Sequence, residues 1–492
     1  MHKRFPLLFL LAAALTALSA CGGQDADGDE IRQPSDLTGR RITTIAGSIY
    51  DLHFSGSNDV KLVTYKNSAD CIEALKTGKV DVFIYDETAL SASDLERQSL
   101  KLAYKSTKAF PVALAFREEN KQMARNFNLF LSEIKASGTL DKIVGFWLDD
   151  SVTSREGIPE IVNEGSGEPL RYGTGASTAP ISYKTGDNWE GLEIELAQRF
   201  GAWLGRPVEI SYTDLGSLIV NLQSGLVDMI GASLLVTDER AREVCFSDPC
   251  YYIRPAFFVN AESSSARTPF FKRIKESIHY NLVVDKRWKL ISDGLYETVK
   301  ITFLSIIFGS LLGLLLCAMA LCRRKWMRKF VDFYSWFMRG IPMLVLLMIM
   351  FYVVLSGLGL KADRIAVVAF SLNFASPACS VFKNGILSVP RSQTEAGLAL
   401  GFTPWGTFRH FVLPRAMRTS APPFRGECVS LLKGTSIVGF ISIMDLTRAS
   451  DLIRSRTFDA LLPLIIITVI YFLLAWLIGI LIDLAVKKHS RK

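Results

Sequence analysis

The sequence predicts an α/β domain in the first half of the chain and an all-α membrane domain with five spans in the second half. Strand-like and helix-like segments alternate as far as about residue 262, whereas apolar runs dominate from about residue 296. The mean hydropathy of +0.25 lies between the values typical of soluble and of membrane proteins. A chain of 492 residues is long enough for several domains.

The N-terminus has the features of an export signal. A basic start is followed by a short apolar run that ends in "LSAC". This tetrapeptide resembles a bacterial lipobox, which implies that Cys21 is acylated; an ordinary secretory signal and an uncleaved anchor are the alternatives. In each case the next domain lies outside the cytoplasm. We assign residues 1–21 to a lipoprotein signal peptide and residues 22–32 to a flexible tether.

The exported half alternates predicted strands and helices, which favours parallel sheets. The predicted strands cover residues 40–47, 80–86, 111–117, 207–212 and 226–232. The predicted helices have apolar residues at helical spacing and cover residues 70–78, 119–138, 191–205 and 218–225.

Five apolar segments in the second half are each about 20 residues long, the length that crosses a bilayer as a helix. They cover residues 301–321, 341–360, 365–382, 426–446 and 461–482. Sixteen Lys and Arg lie in the loops 322–340 and 383–425 and in the tail, against five in the other two loops, so the first group is predicted to be cytoplasmic. Glu427 and Lys433, early in the fourth of these segments, are expected to have structural roles.

The loop 383–425 contains "EAGLALG" followed by "FVLP". These motifs resemble the EAA loop of binding-protein-dependent ABC importer permeases, although Gly397 replaces the second Ala of the family pattern. "RGIPMLV" (339–345) and "LLKGTSIVGFISIMDLT" (431–447) resemble the polar-amino-acid branch of that family. The resemblance implies a permease domain over residues 296–486 and a tail at 487–492. It assigns to an ATPase-coupling loop the residues Glu395, Ala396, Gly397, Gly401, Leu413 and Pro414.

The family implies several partners for the chain. The sequence has no Walker A loop, so ATP hydrolysis is expected from a separate ABC ATPase subunit, and the chain is predicted not to be an enzyme. A second permease copy, identical or paralogous, would complete the pore in a bacterial inner membrane. We expect no cofactor, metal or nucleic acid. Without the other two motifs, the loop 388–416 would fit an amphipathic segment on the membrane surface equally well.

The exported half resembles the type II (family 3) solute-binding proteins of amino-acid importers, which implies a two-lobed clamshell. "VDMIGASLLVTDERAREVCFSDPCYY" (227–252) resembles the first lobe of that family, here called the FSDP lobe after residues 246–249. "DLTGRRITTIAGS" (36–48), "ALKTGKVDVFIYDE" (74–87) and "KASGTLDKIVGFW" (135–147) resemble its second part, whose lobe is here called the DLTG lobe after residues 36–39.

The two lobes occur in the reverse of the family order, which suggests a circular permutation. The DLTG lobe and a returning segment are assigned to residues 33–148, the FSDP lobe to residues 169–262, and the splice to the linker 149–168. A pre-membrane segment at 263–295 follows, and the chain is expected to leave the clamshell from the FSDP lobe. The alternative is two truncated tandem domains, each of which would expose a large apolar face.

The resemblance implies a ligand site for a small amino-acid-like solute between the lobes. It places Arg240 on the ligand carboxylate, where a bidentate contact is favourable, and Asp86 on the ligand ammonium. Gly47 and Ser48 lie at a predicted helix N-terminus, which favours anions. Thr178 and Ser233 complete the predicted ligand-binding set.

Several family positions in this cleft have changed. The aromatic positions are occupied by Thr178 and Leu215, and the family Asp and Ser positions by Gly175 and Leu235. The identity of the ligand therefore stays open. A surface salt bridge for Arg240 and a turn or helix cap for Asp86 are the structural alternatives to ligand contact.

Two further questions are open at the level of the sequence. Cys245 and Cys250, in "CFSDPC", are predicted to be buried free thiols rather than a disulfide. The same clamshell also occurs in ligand-gated channels and transmembrane sensors. A channel would need a re-entrant filter and a sensor a cytoplasmic signalling domain, and neither is evident in the sequence.

Overall fold

The computed structural model describes residues 31–490, except 58, 150, 153, 164, 176–178, 186–187, 214, 238–239, 262–274 and 276. Cys21, the predicted site of lipidation, and Thr178, one of the predicted ligand residues, lie outside the described residues. The first half of the chain, residues 31–261, is α/β and the second half is helical, as the sequence predicts. The name "exported half" is kept below for residues 31–261 because the sequence predicts their export.

The exported half contains two five-stranded sheets, one in each lobe, and two short strand pairs. The strands in chain order are β1 (Arg41–Ile45), β2 (Lys61–Tyr65), β3 (Val82–Asp86), β4 (Leu100–Lys105), β5 (Phe110–Val112), β6 (Ala115–Phe116), β7 (Leu170–Thr174), β8 (Tyr183–Thr185), β9 (Asn188–Glu190), β10 (Val208–Tyr212), β11 (Met229–Gly231), β12 (Cys245–Phe246), β13 (Tyr251–Ile253) and β14 (Pro255–Asn260).

Each sheet is completed by a strand from the other half of the exported sequence. The DLTG sheet has the order β2-β1-β3-β14-β4, and the FSDP sheet has the order β10-β7-β11-β6-β12. β14 is antiparallel to β3 and β4, and β6 is antiparallel to β11 and β12. Neither sheet would be whole if the chain were divided between residues 148 and 169.

The chain passes between the lobes at two adjacent places. β5 and β13 form a two-stranded antiparallel pair there, with Tyr251 opposite Val112 and Ile253 opposite Phe110. Two adjacent connections of this kind are the usual structure of a hinge, because a few residues in them absorb the rotation of whole lobes.

The chain leaves the clamshell from the DLTG lobe, so the expectation that it leaves from the FSDP lobe is wrong. β14 follows the FSDP strands in sequence but inserts between β3 and β4, and the Ala261 amide donates to the Ser99 carbonyl. The reason is burial: Phe257 and Phe258 are almost fully buried, and the DLTG core covers them on both faces of the sheet.

The helices alternate with the strands in the exported half and form a bundle in the second half. In chain order they are α1 (Ile49–Phe54), α2 (Ser68–Lys76), α3 (Ala92–Gln98), α4 (Lys121–Ala136), α5 (Thr139–Leu148), α6 (Leu192–Trp203), α7 (Leu215–Gln223), α8 (Trp288–Leu321), α9 (Lys325–Gly340), α10 (Met343–Ile349), α11 (Ala362–Leu387), α12 (Arg391–Ala399), α13 (Pro404–Thr407), α14 (Leu413–Gly434), α15 (Leu446–Thr457) and α16 (Leu462–Ser490).

Three of the described helices are long and apolar enough to cross a membrane: α8, α11 and α16, the last over Leu462–Val486. Two bent pairs, Lys325–Gly340 with Met343–Val354 and Pro404–Ile441 with Leu446–Thr457, meet the same criterion when each is taken together, which gives up to five spans. α8 and α11 pack closely at Gly309 and Gly313, where an added Cβ would lie within 3 Å of Phe374 or Ala378.

The core of the FSDP lobe contains a buried carboxyl group that helps to shape the cleft. Glu193, in the first turn of α6, is fully buried. Its Oε1 accepts from the Tyr251 hydroxyl at 2.8 Å and from the Ser233 amide at 3.0 Å, and its Oε2 accepts from the Tyr172 hydroxyl at 3.3 Å. Burial raises the pKa of Glu193 to about 7, and the hydrogen bonds oppose that rise only in part.

We predict that Glu193 makes the stability of the exported half decrease with pH. Its folded pKa lies above its ordinary value of 4.5, so the folded state binds the proton more tightly than the unfolded state. Its contribution is therefore most favourable below pH 4.5 and is lost as the pH rises through 7, by about 2 kcal/mol between pH 5 and pH 8. Hydrogen exchange of the amides of α6 at the two pH values, corrected for intrinsic rates, measures this loss.

Glu193→Gln is expected to remove most of this pH dependence of the stability, because a neutral amide of the same shape replaces a titrating group. Glu209→Gln, on an exposed strand position of the same lobe, is the matched control and should behave as the unsubstituted chain. If the Glu193→Gln chain kept the full pH dependence, the assignment to Glu193 would be wrong.

Candidate functional site

A cavity of about 130 Å³ lies between the two lobes. Its walls include the ends of β1 and β3 from the DLTG lobe and the segment after β11 from the FSDP lobe. The carboxyl ends of neighbouring parallel strands meet at one edge of a sheet, which is the usual position of ligand sites in α/β folds.

Arg240 reaches across the cleft from the FSDP lobe. Its Nη2 donates to the carbonyl oxygen of Gly47 in the DLTG lobe at 2.8 Å, and the side chain lines the cavity. Its own amide donates to the Thr237 hydroxyl at 3.2 Å, which fixes the short turn that carries it. The guanidinium thus lies at the point where the two lobes touch.

Asp86 lies at the carboxyl end of β3 on the opposite wall. Its Oδ1 accepts from the Tyr50 hydroxyl at 2.6 Å. Burial raises the pKa of Asp86 to about 6, and the hydrogen bond from Tyr50 partly opposes this rise. A cationic group bound beside Asp86 would favour the charged carboxylate, so a ligand ammonium would lower that pKa again.

Ser48 and Gly47 lie at the start of α1, as predicted, and Ser48 lines the cavity. The Ser48 hydroxyl accepts from the amide of Asp51, and the Gly47 amide donates to the Asp51 carboxylate at 2.7 Å. The Gly47 amide, at the N-terminus of α1, therefore binds the Asp51 carboxylate in this structure rather than an anion in the cavity. Gly47 has a φ of +75°, a conformation that favours glycine.

Three further positions of the FSDP lobe that the sequence analysis singled out line the cavity. Ser233 lines the cavity with a positive φ of 50°, held by the hydrogen bond from its amide to Glu193. Gly175 and Leu235, which replace family polar residues, line it too. Leu215 begins α7. Cys245 and Cys250 are free thiols, as predicted; Cys250 is buried, whereas Cys245 is only partly buried, so the prediction of two buried thiols is wrong for Cys245.

The permease half supplies part of the cavity wall, which the sequence did not predict. Asp451 and Ser455, on α15, line the same cavity as Arg240 and Asp86. The N-cap residue of α15 is Asp445, whose carboxylate accepts hydrogen bonds from the amides of Thr447 and Arg448. The cleft is thus closed on one side by a helix that belongs to the second half of the chain.

α15 contacts both lobes. On the DLTG side, Arg454 forms an ion pair with Asp70, and the Thr457 carbonyl accepts from Arg97 and Gln98 at 3.1 and 3.2 Å. Directly after α15, Phe458 is 3% exposed and packs in the core of the DLTG lobe. These contacts fix the lobe against the helix.

On the FSDP side, the contacts with the permease half are aromatic and polar. The Arg448 guanidinium lies 4.0 Å from the ring centroid of Tyr212, and that of Arg456 lies 4.6 Å from the ring centroid of Tyr183. Asn221 accepts a hydrogen bond from the Tyr352 hydroxyl at 2.7 Å.

Several cavity residues were missed by the sequence interpretation. Tyr50 and Tyr85 lie close in sequence to predicted ligand residues and supply aromatic surface to the cavity. A closer inspection of "GSIYD" and "FIYD" would have found them. Lys66 and Asp451 carried no comparable signal, because the first lies in a strand-to-helix turn and the second in a predicted permease loop.

The predicted coupling loop is a compact helical unit. α12 and α13 are joined by a turn in which Gly401 has a φ of +84°. An added Cβ at Gly397 would lie 2.6 Å from the Thr407 side chain, so only glycine allows this contact between the two helices. Leu413 and Pro414 open α14, which continues from the loop into the bundle.

The outer face of this loop is apolar and exposed. Leu398, Leu400, Phe402 and Trp405 are 41–70% exposed. Glu395 and Ala396 are exposed beside them. Several large apolar side chains exposed on one short loop are typical of a contact with a protein or a membrane.

Comparisons with known proteins place the second half of the chain in a family. Residues 305–492 match the family described as "Binding-protein-dependent transport system inner membrane component". The L-cystine transport system permease protein TcyB of Bacillus subtilis (strain 168) is 34% identical over 206 residues, which are 42% of this chain and 88% of that protein. The arginine transport system permease protein ArtQ of the same organism is 35% identical over 190 residues, 37% of this chain and 85% of that protein.

Among solved structures, the crystal structure of an amino acid ABC transporter with histidines has a TM-score of 0.38 and 29% identity, over 45% of this chain and 100% of that chain. The sequence relatives are transport permeases, so this chain is a transport component rather than an enzyme. Through its second half, the chain belongs to the family of inner membrane components of binding-protein-dependent transport systems.

Proposed function

We propose that the chain is both receptor and permease of an ABC importer for amino acids or related small polar solutes. The observation that carries this proposal is the cavity between the lobes, which holds cationic and anionic side chains and lies directly against a helix of the permease half. Relatives of that half are named as cystine and arginine permeases. Fusion keeps the receptor at a high effective concentration beside the pore.

The exported half is proposed to be one permuted domain, with lobes assigned mainly to residues 33–148 and 169–262. The exchange of β6 and β14 between the sheets supports a single domain over two truncated ones. The linker 149–168 returns along the FSDP lobe: Arg155 pairs with Glu195 at 2.7 Å, and Asn163 donates to the Arg206 carbonyl at 2.8 Å. A linker that joins the C-terminal end of a family domain to its N-terminal end would be expected to run along the lobe in this way.

A cut in this linker is therefore expected to leave the domain assembled. A protease site inserted after Val162, which is 70% exposed, should be cleaved without loss of ligand affinity, because the interlocked strands hold the fragments together. After extraction in detergent, the N-terminal fragment should co-purify with a C-terminally tagged permease fragment. Its release on cleavage would contradict a single permuted domain.

The ligand is proposed to be a small zwitterion whose carboxylate binds Arg240 and whose ammonium binds Asp86. These groups lie on opposite lobes, so a bound ligand would favour the closed state over the open one. Ser48 and Ser233, which line the same cavity, would form further hydrogen bonds with the ligand. Thr178 is proposed as a contact from the family position alone.

Arg240→Ala is predicted to lower the affinity for the transported amino acid by about tenfold or more, because a charge-assisted pair is lost. Isothermal titration of the full chain with a panel that includes L-cystine, L-glutamine and L-arginine measures this. Arg242→Ala, an exposed Arg of the same turn, is the matched control. An unchanged affinity in Arg240→Ala would contradict the carboxylate assignment.

The loop Glu395–Gly401, with Leu413 and Pro414, is proposed to couple a separate ATPase to the membrane helices. Its exposed apolar face would seat in a groove of the ATPase, and α14 leads from the loop through the bundle towards α15. Motion of the loop would thus reach the helix on which both lobes rest. A second permease copy, identical or paralogous, would complete the pore, with the exported domain outside the cytoplasm.

Gly397→Val is predicted to abolish uptake without changing ligand affinity. The added side chain would force α12 away from Thr407 and disturb the ATPase contact, far from the cleft. Uptake into liposomes that contain the co-expressed ATPase subunit is measured beside ligand binding by the same preparation. Gly426→Ala, where an added Cβ meets nothing within 4 Å, is the control. Normal uptake by Gly397→Val would contradict the coupling role.

A further inference from the structure

Three parts of the chain, and not the two lobes alone, line the cleft cavity. Asp86 comes from the DLTG lobe, Arg240 from the FSDP lobe, and Asp451 from α15 of the permease half. All three line a space of about 130 Å³. A ligand that fills this space therefore contacts the permease half while it is still held by both lobes.

Asp451 is held in the wall by two cationic side chains. Its Oδ1 lies 3.3 Å from Arg454 Nη1, and its Oδ2 lies 3.8 Å from Lys66 Nζ. Arg454 is 6% exposed and also pairs with Asp70, so it is a fixed partner. Lys66 is 55% exposed at its side chain, and the long contact to Asp451 is of the kind that contributes little to stability.

The exchange of Lys66 for a cationic ligand group would move the Lys66 ammonium into solvent, away from Asp451 and from Phe440, whose ring centroid lies 5.4 Å from the Lys66 Nζ. The Lys66 side chain is flexible and its ammonium prefers full hydration. Asp451 Oδ2 would then face the cavity, and a cationic group of a ligand could replace the Lys66 ammonium there. Since Asp451 is only 19% exposed, such an exchange takes place in a partly desolvated environment, where a charge-assisted hydrogen bond is stronger than in water.

We propose that Asp451 is a ligand-binding residue supplied by the permease half, which accepts a hydrogen bond from the cationic group of a bound zwitterion in exchange for Lys66. This inference rests on the proposed function and names a contact that neither lobe provides. The receptor and the permease therefore share one ligand site while α15 is docked.

The shared site gives the permease a direct means of changing ligand affinity. α15 is connected through the segment 435–441 to α14 and so to the loop 391–407. Movement of α15 away from the cleft removes one carboxylate from the ligand and opens one wall of the cavity. By linkage, a ligand that binds Asp451 also stabilises the docked position of α15.

The test compares amino acids with analogues that lack the α-amino group. The full chain in nanodiscs is titrated with L-cystine, L-glutamine and L-arginine, and with the deaminated acid that corresponds to each. Asp451→Asn should lower the affinity for the amino acid that binds by about tenfold. The affinity for the analogue from which every α-amino group has been removed should change by less than about twofold, because that analogue lacks the α-ammonium group that is proposed to bind Asp451.

A gain of affinity provides a test that misfolding cannot imitate. Lys66→Met removes the competing ammonium, so the same amino acid should bind several-fold more tightly, while the deaminated analogue should not. Asp483→Asn, which makes the same charge change at the far end of α16 near Arg425, should leave all affinities unchanged.

The outcomes separate this inference from the proposed function. If no amino acid of the panel bound the unsubstituted chain, the proposed function would be contradicted, and this inference with it. If an amino acid bound but Asp451→Asn left its affinity unchanged, only this inference would be overturned. The same holds if the amino acid and its deaminated analogue lost affinity equally, since that result indicates a role in docking α15 alone.

Discussion

The packing of α15 against both lobes is the constraint on which the rest of the structure depends. Arg454 is almost fully buried between the halves, and a buried guanidinium is tolerated only when its donors are satisfied. Asp70 from the DLTG lobe, Asp451 from α15 and the Ala460 carbonyl supply those acceptors. Loss of the docked lobe would leave Arg454 without its strongest partner, so the ion pair fixes where the clamshell sits.

The contacts on the two sides of α15 differ in kind. The DLTG lobe covers Phe458, a large apolar side chain whose exposure to water would cost about 2 kcal/mol. The FSDP lobe meets the permease half through cation–π and hydrogen-bonding contacts of Tyr212, Tyr183 and Asn221. Leu226 and Tyr212 add partly buried apolar contacts. Cation–π and hydrogen-bonding contacts are exchanged for water at a smaller cost.

Local patterns predicted much of the fold. The strands at 41–45, 82–86 and 208–212 and the helices at 121–136 and 192–203 lie within the predicted segments. The strands are short, largely apolar runs, and the helices have apolar residues at helical spacing. The predicted strand 111–117 instead forms β5 and β6, which belong to different sheets, since the chain crosses between lobes within it. Such a division depends on partners more than 100 residues away, which periodicity does not reveal.

The candidate site was predictable only where a resemblance fixed the position of a residue. Arg240, Asp86 and Ser233 lie around one cavity because strand ends converge there, and the motifs identified those strands. Asp451 lies in the same cavity for a different reason: the docking of one half on the other. Its neighbours in sequence have the helical pattern of any permease loop, so only the three-dimensional arrangement reveals it.

The exit of the chain from the DLTG lobe helps to determine which lobe is expected to move. That lobe is attached to the permease half by its own outgoing strand β14, by Phe458 and by the Arg454–Asp70 pair, so three constraints act on one body. The FSDP lobe is connected to it through the β5–β13 pair and rests on α15 by the weaker contacts. Opening by rotation of the FSDP lobe would break those contacts and the Arg240–Gly47 hydrogen bond. If the exported half is the proposed receptor, these contacts favour a DLTG lobe that remains on the permease half while the FSDP lobe moves.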